Sequence, residues 1–420
     1  MNSLIRRYIT PKTMVLVDQA IISGGSFITN VIIARKLGPA DYGLYSIVVL
    51  AQLFILSLQQ AGITGIYQVI FPKLSQSKRD GYTGTLFYTH CMLLVLLLLI
   101  SAIAYVFLSP VLKSSSPIFI PAVSGILLFL LQDFLRKILL TQQKFVKTLW
   151  IDAINNVLQL LILVLWFSFS HLTLLSACWI ICLTFIIPCI LGIVWIKPGV
   201  FLWKDVKSCI ADHFKKAKWL LCSALLQWGA GNYFILAAGW WLGPASLAAL
   251  RLSQYIFGLL NVVLQAIENY ALPIASAIDT SRGKLAAYAK SVSKKSFLLM
   301  LPLLIVIVLF PKYIIQVLGG KAYMQYYYLL YYLSAAYLFV IGTIPLKIFL
   351  RVKLLNRAYF TGYLFTVVFS ILSANFLIKT WQLKGVLVGL ILSQVILTIY
   401  WLVFLFNKKS NYEYYSPGVR

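Results

Sequence analysis

Twelve runs of mostly apolar residues fill this sequence almost end to end, at roughly 14–34, 43–69, 84–109, 118–140, 150–169, 174–196, 220–241, 246–272, 296–318, 325–348, 359–378 and 383–406. Within a bilayer core no water is present to bond an exposed N–H or C=O. A run of about 20 apolar residues, the length that crosses about 30 Å of hydrocarbon as a helix, therefore reads as a membrane span. The expected fold is an all-α polytopic membrane protein with twelve transmembrane helices. Composition agrees, since only 11% of residues are charged and 61% are hydrophobic, against about a quarter charged in soluble domains. Arg6, Arg7 and Lys12 precede the first run, which is too long for the apolar region of a cleaved signal and has no small-residue cleavage site after it. It is expected to stay as the first span, with Arg6-Arg7 as a cytoplasmic anchor.

The runs fall into two sets of six. Leu37-Gly38-Pro39-Ala40, inside the stretch Ala34 to Tyr45, returns as Leu242-Gly243-Pro244-Ala245, an offset of 205 residues in a chain of 420. Each copy closes the first run of its set. Glycine frees the backbone there, and proline fixes φ and removes a donor, so one helix ends and the next begins. The chain reads as two six-helix bundles, 1–196 and 220–406, joined by a cytoplasmic amphipathic linker, 197–219, and followed by a cytoplasmic tail, 407–420. An even number of spans per bundle gives both the same orientation, hence a parallel repeat.

The net charge of +26 is unevenly spread. With the N-terminus inside, the cytoplasmic segments hold 28 of the 36 lysines and arginines and the outer loops hold 7. Arg251 is the one that falls neither in a loop nor at a helix end. Such banking follows the positive-inside rule, places both termini in the cytoplasm, and argues against nucleic acid as a partner. No outer loop exceeds about fifteen residues, so the large outer domain with paired acids expected of a membrane glycosyltransferase or polymerase is missing. Gly319-Gly320-Lys321-Ala322 lacks the first glycine and the hydroxyl of a phosphate-binding loop. The six cysteines read as small apolar fillers. Cys178 and Cys182 share a helix face without a histidine or carboxylate to complete a metal site.

Polar residues within the runs show which way each helix faces. In the first, Asp18, Gln19, Ser23, Gly25, Ser26, Thr29 and Asn30 lie within about 160° of arc. The eighth run is sharper, with Arg251, Gln254, Gly258, Asn261, Gln265, Glu268 and Asn269 within about 100°. Gln52, Gln59 and Gln60 in the second run repeat the theme more weakly, as do Asp152, Asn155, Asn156 and Gln159 in the fifth. Such residues either glue helices together or line a polar cavity. The eighth run, with two formal charges and four amides in one line, exceeds what packing needs. The cavity candidates are Arg251, Gln254, Asn261, Gln265, Glu268, Asn269, Asp18, Thr29 and Asn30. Asp18 and Glu268 are expected to tune it by binding a proton or sodium ion, or by pairing with an arginine or lysine. Glu268 is 17 residues from Arg251, about 25 Å along a helix, so these two cannot pair; a carboxylate from another helix is the plainer partner for Arg251. Asp133, Arg136 and Lys137 read as a solvated helix end, His90 as an interior histidine, and His171 and His213 as loop residues without a partner. Tyr326, Tyr327, Tyr328, Tyr331 and Tyr332 read as an outer aromatic belt.

Leu37-Gly38-Pro39, Tyr42-Gly43 and Tyr45, after a polar-faced first span, resemble the signature turn of the bacterial polysaccharide flippases of the O-antigen transporter type. Leu318-Gly319-Gly320 with Tyr323 matches more loosely. These flippases belong to the multidrug/oligosaccharidyl-lipid/polysaccharide exporter superfamily. The resemblance implies two six-helix bundles around a cavity open to one side at a time, and movement of an undecaprenyl-pyrophosphate-linked sugar unit in the bacterial cytoplasmic membrane. Membrane lipids, a polysaccharide polymerase and chain-length proteins are the further partners it implies. Gly38, Pro39, Tyr42, Gly43, Gly243 and Pro244 then form a gate or turn motif, and Arg251 is expected to anchor the pyrophosphate. No catalytic residue, metal or cofactor is expected, and the coupling ion, proton or sodium, stays open. A drug/cation antiporter of the same superfamily and a non-transport scaffold are the competing readings. Arg251 argues against a cationic substrate, and a scaffold has no need of the charged stripe.

Overall fold

The computed structural model describes residues 11–108, 116–199, 203–278, 282–353 and 355–407; the Arg6-Arg7 anchor and the tail from 408 onward lie outside them. Every regular element among the described residues is helical. The first compact unit, Met1–Leu225, contains α1 (Pro11–Gln59), a π-helical segment (Gln60–Thr64), α2 (Gly65–Ile70), α3 (Gln76–Leu108), α4 (Ser116–Thr141), α5 (Phe145–Phe169), α6 (Leu174–Thr184) and α7 (Ile186–Ile196). The chain leaves it along α8 (Trp203–Leu242). The second unit, Leu226–Arg420, contains α9 (Pro244–Ala277), α10 (Arg282–Leu309), α11 (Pro311–Gly319), α12 (Leu329–Val352) and α13 (Asn356–Asn407). In the first unit α4 packs against α1, α3, α5, α6 and α7; in the second α12 packs against α9, α10 and α13.

Ten helices among the described residues are long and apolar enough to cross a membrane. Two of them, 61 and 51 residues long, far exceed the roughly 20 residues of one crossing. Each contains a single non-helical residue, Gly38 in α1 and Gln382 in α13. Counted as two crossings apiece, they bring the total to the twelve read from the apolar runs. The outer faces carry Phe107, Leu298 and Leu372, about three-quarters exposed, which a water-soluble surface would not tolerate as a continuous band. Inside, Phe134, Leu135 and Ile138 of α4 gather Leu86, Phe87 and Tyr67 around them. Trp401 of α13 is fully buried against Ala358 and Leu397.

The two Leu-Gly-Pro-Ala copies have nearly the same backbone. Gly38 has φ 74°, ψ 175° and Gly243 has φ 86°, ψ 171°. This region is essentially closed to residues with a Cβ. Helix resumes at once, at Pro39 and at Pro244, so the expected short turn is a single residue. Gly320 shares the conformation, at φ 80°, ψ −174°, and the loosely matching Leu318-Gly319-Gly320 bends as the two tighter copies do. Tyr42 and Tyr323, which follow these bends, are both fully buried.

Three boundaries differ from the sequence expectation. The linker 197–219 and the seventh run are not separate, because α8 is continuous from Trp203; no glycine or proline interrupts 203–219. The sixth run breaks at Phe185 between α6 and α7, where Pro188 has no N–H for the carbonyl of Thr184. The ninth run ends at Leu309, and Pro311 opens α11 with Phe310 as its non-helical cap.

Candidate functional site

In the N-terminal unit α1 and α5 lie close enough that a Cβ on Gly25 would overlap the side chain of Asn156. Asp18, Thr29 and Asn30 of α1, and Asp152, Asn155, Asn156 and Gln159 of α5, are buried. Arg136 reaches into this polar interior from α4. Its Nη2 donates to Asp18 Oδ2 at 2.8 Å and its Nε to Asp152 Oδ2 at 2.5 Å. Gln132 Nε2 donates to Asp152 Oδ1 at 3.1 Å. A guanidinium held by two carboxylates is a charge-assisted arrangement in which both carboxylates contact the one positive charge. Arg136 is therefore not the solvated helix end expected from sequence: its side chain is 13% exposed. Asp18 Oδ1, Thr29 Oγ1 and Asn155 Oδ1 are buried without a hydrogen-bond partner.

Asn30 has a local role. Its Nδ2 donates to the Ser26 carbonyl at 2.8 Å, and its Oδ1 accepts from Tyr42 Oη at 3.4 Å. The tyrosine of the turn motif thus packs back onto the helix preceding the Gly38 bend, with Tyr45 stacked beside it at 5.9 Å.

A second polar group surrounds Gln59, the last residue of α1. Its Nε2 donates to the Leu130 carbonyl at 3.1 Å and to Asp133 Oδ2 at 3.4 Å, and its Oε1 lies 3.0 Å from His90 Nε2. His90 is fully buried and sits 4.1 Å from the Phe134 ring, in keeping with its reading as an interior histidine. Asp133 is 8% exposed, so it too departs from the solvated end expected of it.

In the C-terminal unit α9 exposes only part of the polar stripe read in the eighth run. Leu252, Ile256 and Leu260 are buried within the unit, while Asn261 and Gln265 are exposed and Gln254, Gly258 and Glu268 half-buried. The side chain of Asn269 lies outside the described residues. Arg251 is 7% exposed. Its Nη1 donates to Gln254 Oε1 at 3.1 Å and its Nη2 to Tyr255 Oη at 3.3 Å, while its Nε is buried without a partner. Among the described residues no carboxylate pairs with Arg251. Glu268 does have a partner: Arg351 of α12 donates to its Oε1 at 2.7 Å.

His213, expected in a loop without a partner, is on α8 and buried, with Nε2 2.8 Å from Tyr82 Oη and Nδ1 3.3 Å from the Gly62 carbonyl. The signal for it was the unbroken helical stretch that places His213 one turn after the buried Cys209.

Over residues 32–327 the sequence matches the family described as polysaccharide biosynthesis protein. No curated protein sequence matches it. Among solved structures, an inward-facing multidrug resistance MATE family transporter of the MOP superfamily is similar at TM-score 0.71 and 12% identity, over 93% of this chain and 96% of that one. The lipid II flippase MurJ, inward closed, is similar at TM-score 0.72 and 12% identity, over 94% of this chain and 87% of that one. A MOP superfamily transporter from Pyrococcus furiosus, whose binding pocket is described as of reverse polarity, matches at TM-score 0.62 and 13% identity, over 96% of each chain. With its sequence matched along most of its length and its helices laid out as in these transporters, the chain belongs to the polysaccharide biosynthesis protein family and has the MOP superfamily transporter fold.

Proposed function

We propose that this chain is a flippase that moves an undecaprenyl-pyrophosphate-linked oligosaccharide from the cytoplasmic to the outer leaflet by alternating access, for O-antigen, capsule or exopolysaccharide synthesis. The observation that carries the reading is α9, which buries its apolar face inside its own unit and turns Asn261 and Gln265 outward. A lipid-facing helix would do the reverse, so this face is suited to a wet path. Arg251 at the head of the stripe is the substrate anchor. A charge at such depth costs about 2.5–3.5 kcal/mol on the insertion scale unless something compensates it. A guanidinium fork donates two parallel hydrogen bonds to phosphate oxygens, which suits a pyrophosphate. The family match and the likeness to a lipid II flippase support a lipid-linked substrate.

The charge distribution supports a bacterial cytoplasmic membrane with both termini inside. Within this reading transport is coupled to a proton or sodium ion, and Asp18 and Glu268 act through their arginines. A polysaccharide polymerase and chain-length proteins take the product onward. Deleting the gene tests the whole proposal: surface polysaccharide should disappear while drug tolerance is untouched. Lost drug tolerance with intact polysaccharide would identify an antiporter, and no change in either would leave a scaffold.

A further inference from the structure

Among the described residues, four carboxylates lie along the membrane helices away from the loops, and three are ion-paired: Asp18 and Asp152 with Arg136, and Glu268 with Arg351. The fourth is Asp133. It has no ion-pair partner among the described residues, and its hydrogen-bond partners are the neutral amides of Gln59, at 3.4 Å, and of Gln60. The charges that act on it are Arg136 and Lys137 of its own helix, and Arg136 is already held by two other carboxylates. From α1 it meets Gln59 and from the π segment Gln60, and through Gln59 it connects to His90 of α3. Resting on the transporter reading, we propose that Asp133 is a proton-binding site of this protein, and that its proton is exchanged inward for substrate moving outward.

The chemistry favours a proton over a metal ion. Gln59 directs its N–H groups at Asp133 and at the Leu130 carbonyl, so the nearest oxygens already accept from a donor. A sodium or other hard cation needs several free oxygen ligands converging on one point. A proton needs one: it forms an O–H bond on a carboxylate oxygen and leaves as it came, with no oxidation or reduction. Asp133 lies eight residues before the end of α4 at Thr141, about 12 Å along the helix, within reach of one membrane surface.

The same contacts supply a route from charge to shape. Gln59 is the last residue of α1, and the helix then loosens into the five-residue π segment Gln60–Thr64. Such π segments occur frequently at functional sites. Loss of the proton leaves a carboxylate that binds the Gln59 amide more tightly, because hydrogen bonds to an ionised acceptor are about twice as strong. The pull falls on the residue at which α1 changes its winding.

The experiment is infrared difference spectroscopy of the purified full-length protein in bilayers, recorded between acid and alkaline pH. Wild type should show the C=O stretch of a protonated carboxylic acid that disappears on alkalinisation, and Asp133→Asn should lack it. Gln59→Leu keeps the acid and should move the band by removing its donor, which covers the case of an unstable Asp133→Asn. In cells, wild-type export should fall as external pH rises, by up to about tenfold per unit for one coupled proton, whereas Asp133→Asn should export little and without pH dependence. A missing wild-type band, a band retained in Asp133→Asn, a band unmoved by Gln59→Leu, or normal pH-dependent export by Asp133→Asn would each overturn the proposal. If gene deletion leaves polysaccharide in place, the transport reading falls separately, while the infrared arm still decides whether Asp133 holds a proton.

Discussion

Arg136 in the N-terminal unit and Arg251 in the C-terminal unit are both arginines set among membrane helices, but their company differs. Arg136 lies between Asp18 and Asp152, which come from two other helices, and Gln132 completes the bonding of Asp152. Arg251 has an amide and a phenol from its own helix and a buried Nε with nothing to bond. The first is a closed charge cluster, in which removal of Arg136 strands two buried carboxylates. The second is open, a donor set still short of an acceptor. By this contrast the buried arginine of one unit is closed among carboxylates, and that of the other has no carboxylate partner among the described residues.

The strongest way to break the contrast is Arg251→Ala, which should abolish export at a normal protein level in the membrane, with Arg251→Lys retaining part of it. Wild-type export by the alanine variant would remove Arg251 from the function, and loss of the protein along with export would make it structural. Arg136→Met should act on stability instead. Stranding two buried carboxylates costs about 3–5 kcal/mol, so the purified protein should unfold at markedly lower temperature. Adding Asp18→Asn and Asp152→Asn should restore much of the loss, since an uncharged replacement leaves no charge to desolvate. An Arg136→Met protein that melts like wild type would mean the cluster contributes no cohesion.

A smaller effect is expected at the paired bends. Valine at both Gly38 and Gly243 forces a β-branched residue into a glycine conformation at about 1–3 kcal/mol each. The protein should still insert, by immunoblot of membranes, but export more slowly; full activity would leave the repeat without a mechanical role. Smaller still is Glu268→Gln. Arg351 is 46% exposed in its pair with Glu268, and exposed pairs contribute about 0.2–1 kcal/mol. Its melting temperature should scarcely move and its dependence on a proton or sodium gradient should persist; a lost gradient response would return coupling to the C-terminal unit. Last, cysteines introduced at Lys78, Lys147, Lys215, Lys290 and Arg357 should take up no impermeant reagent in intact cells. Labelling at two or more would invert the orientation on which inward proton movement depends.

Much of the fold could be read from the chain because a bilayer imposes its demands locally. Each span must satisfy its own backbone and expose its own apolar face, so the twelve crossings are visible run by run. The equal bends at Gly38 and Gly243 are visible because only glycine enters that backbone region. The orientation of α9 was visible for the same reason, since its stripe and its apolar face are both written at helical spacing within one run. The N-terminal polar centre was not visible. Arg136 is 118 residues from Asp18 and 16 from Asp152, and nothing near it distinguishes a buried, doubly paired arginine from one reaching for water at a helix end. Asp133 shares that ambiguity, since its burial depends on Gln59 arriving from α1 and His90 from α3. Helix period is a property of neighbours in sequence, whereas the pairing of a charge is a property of neighbours in space, and packing chose which of these carboxylates would find an arginine and which would not.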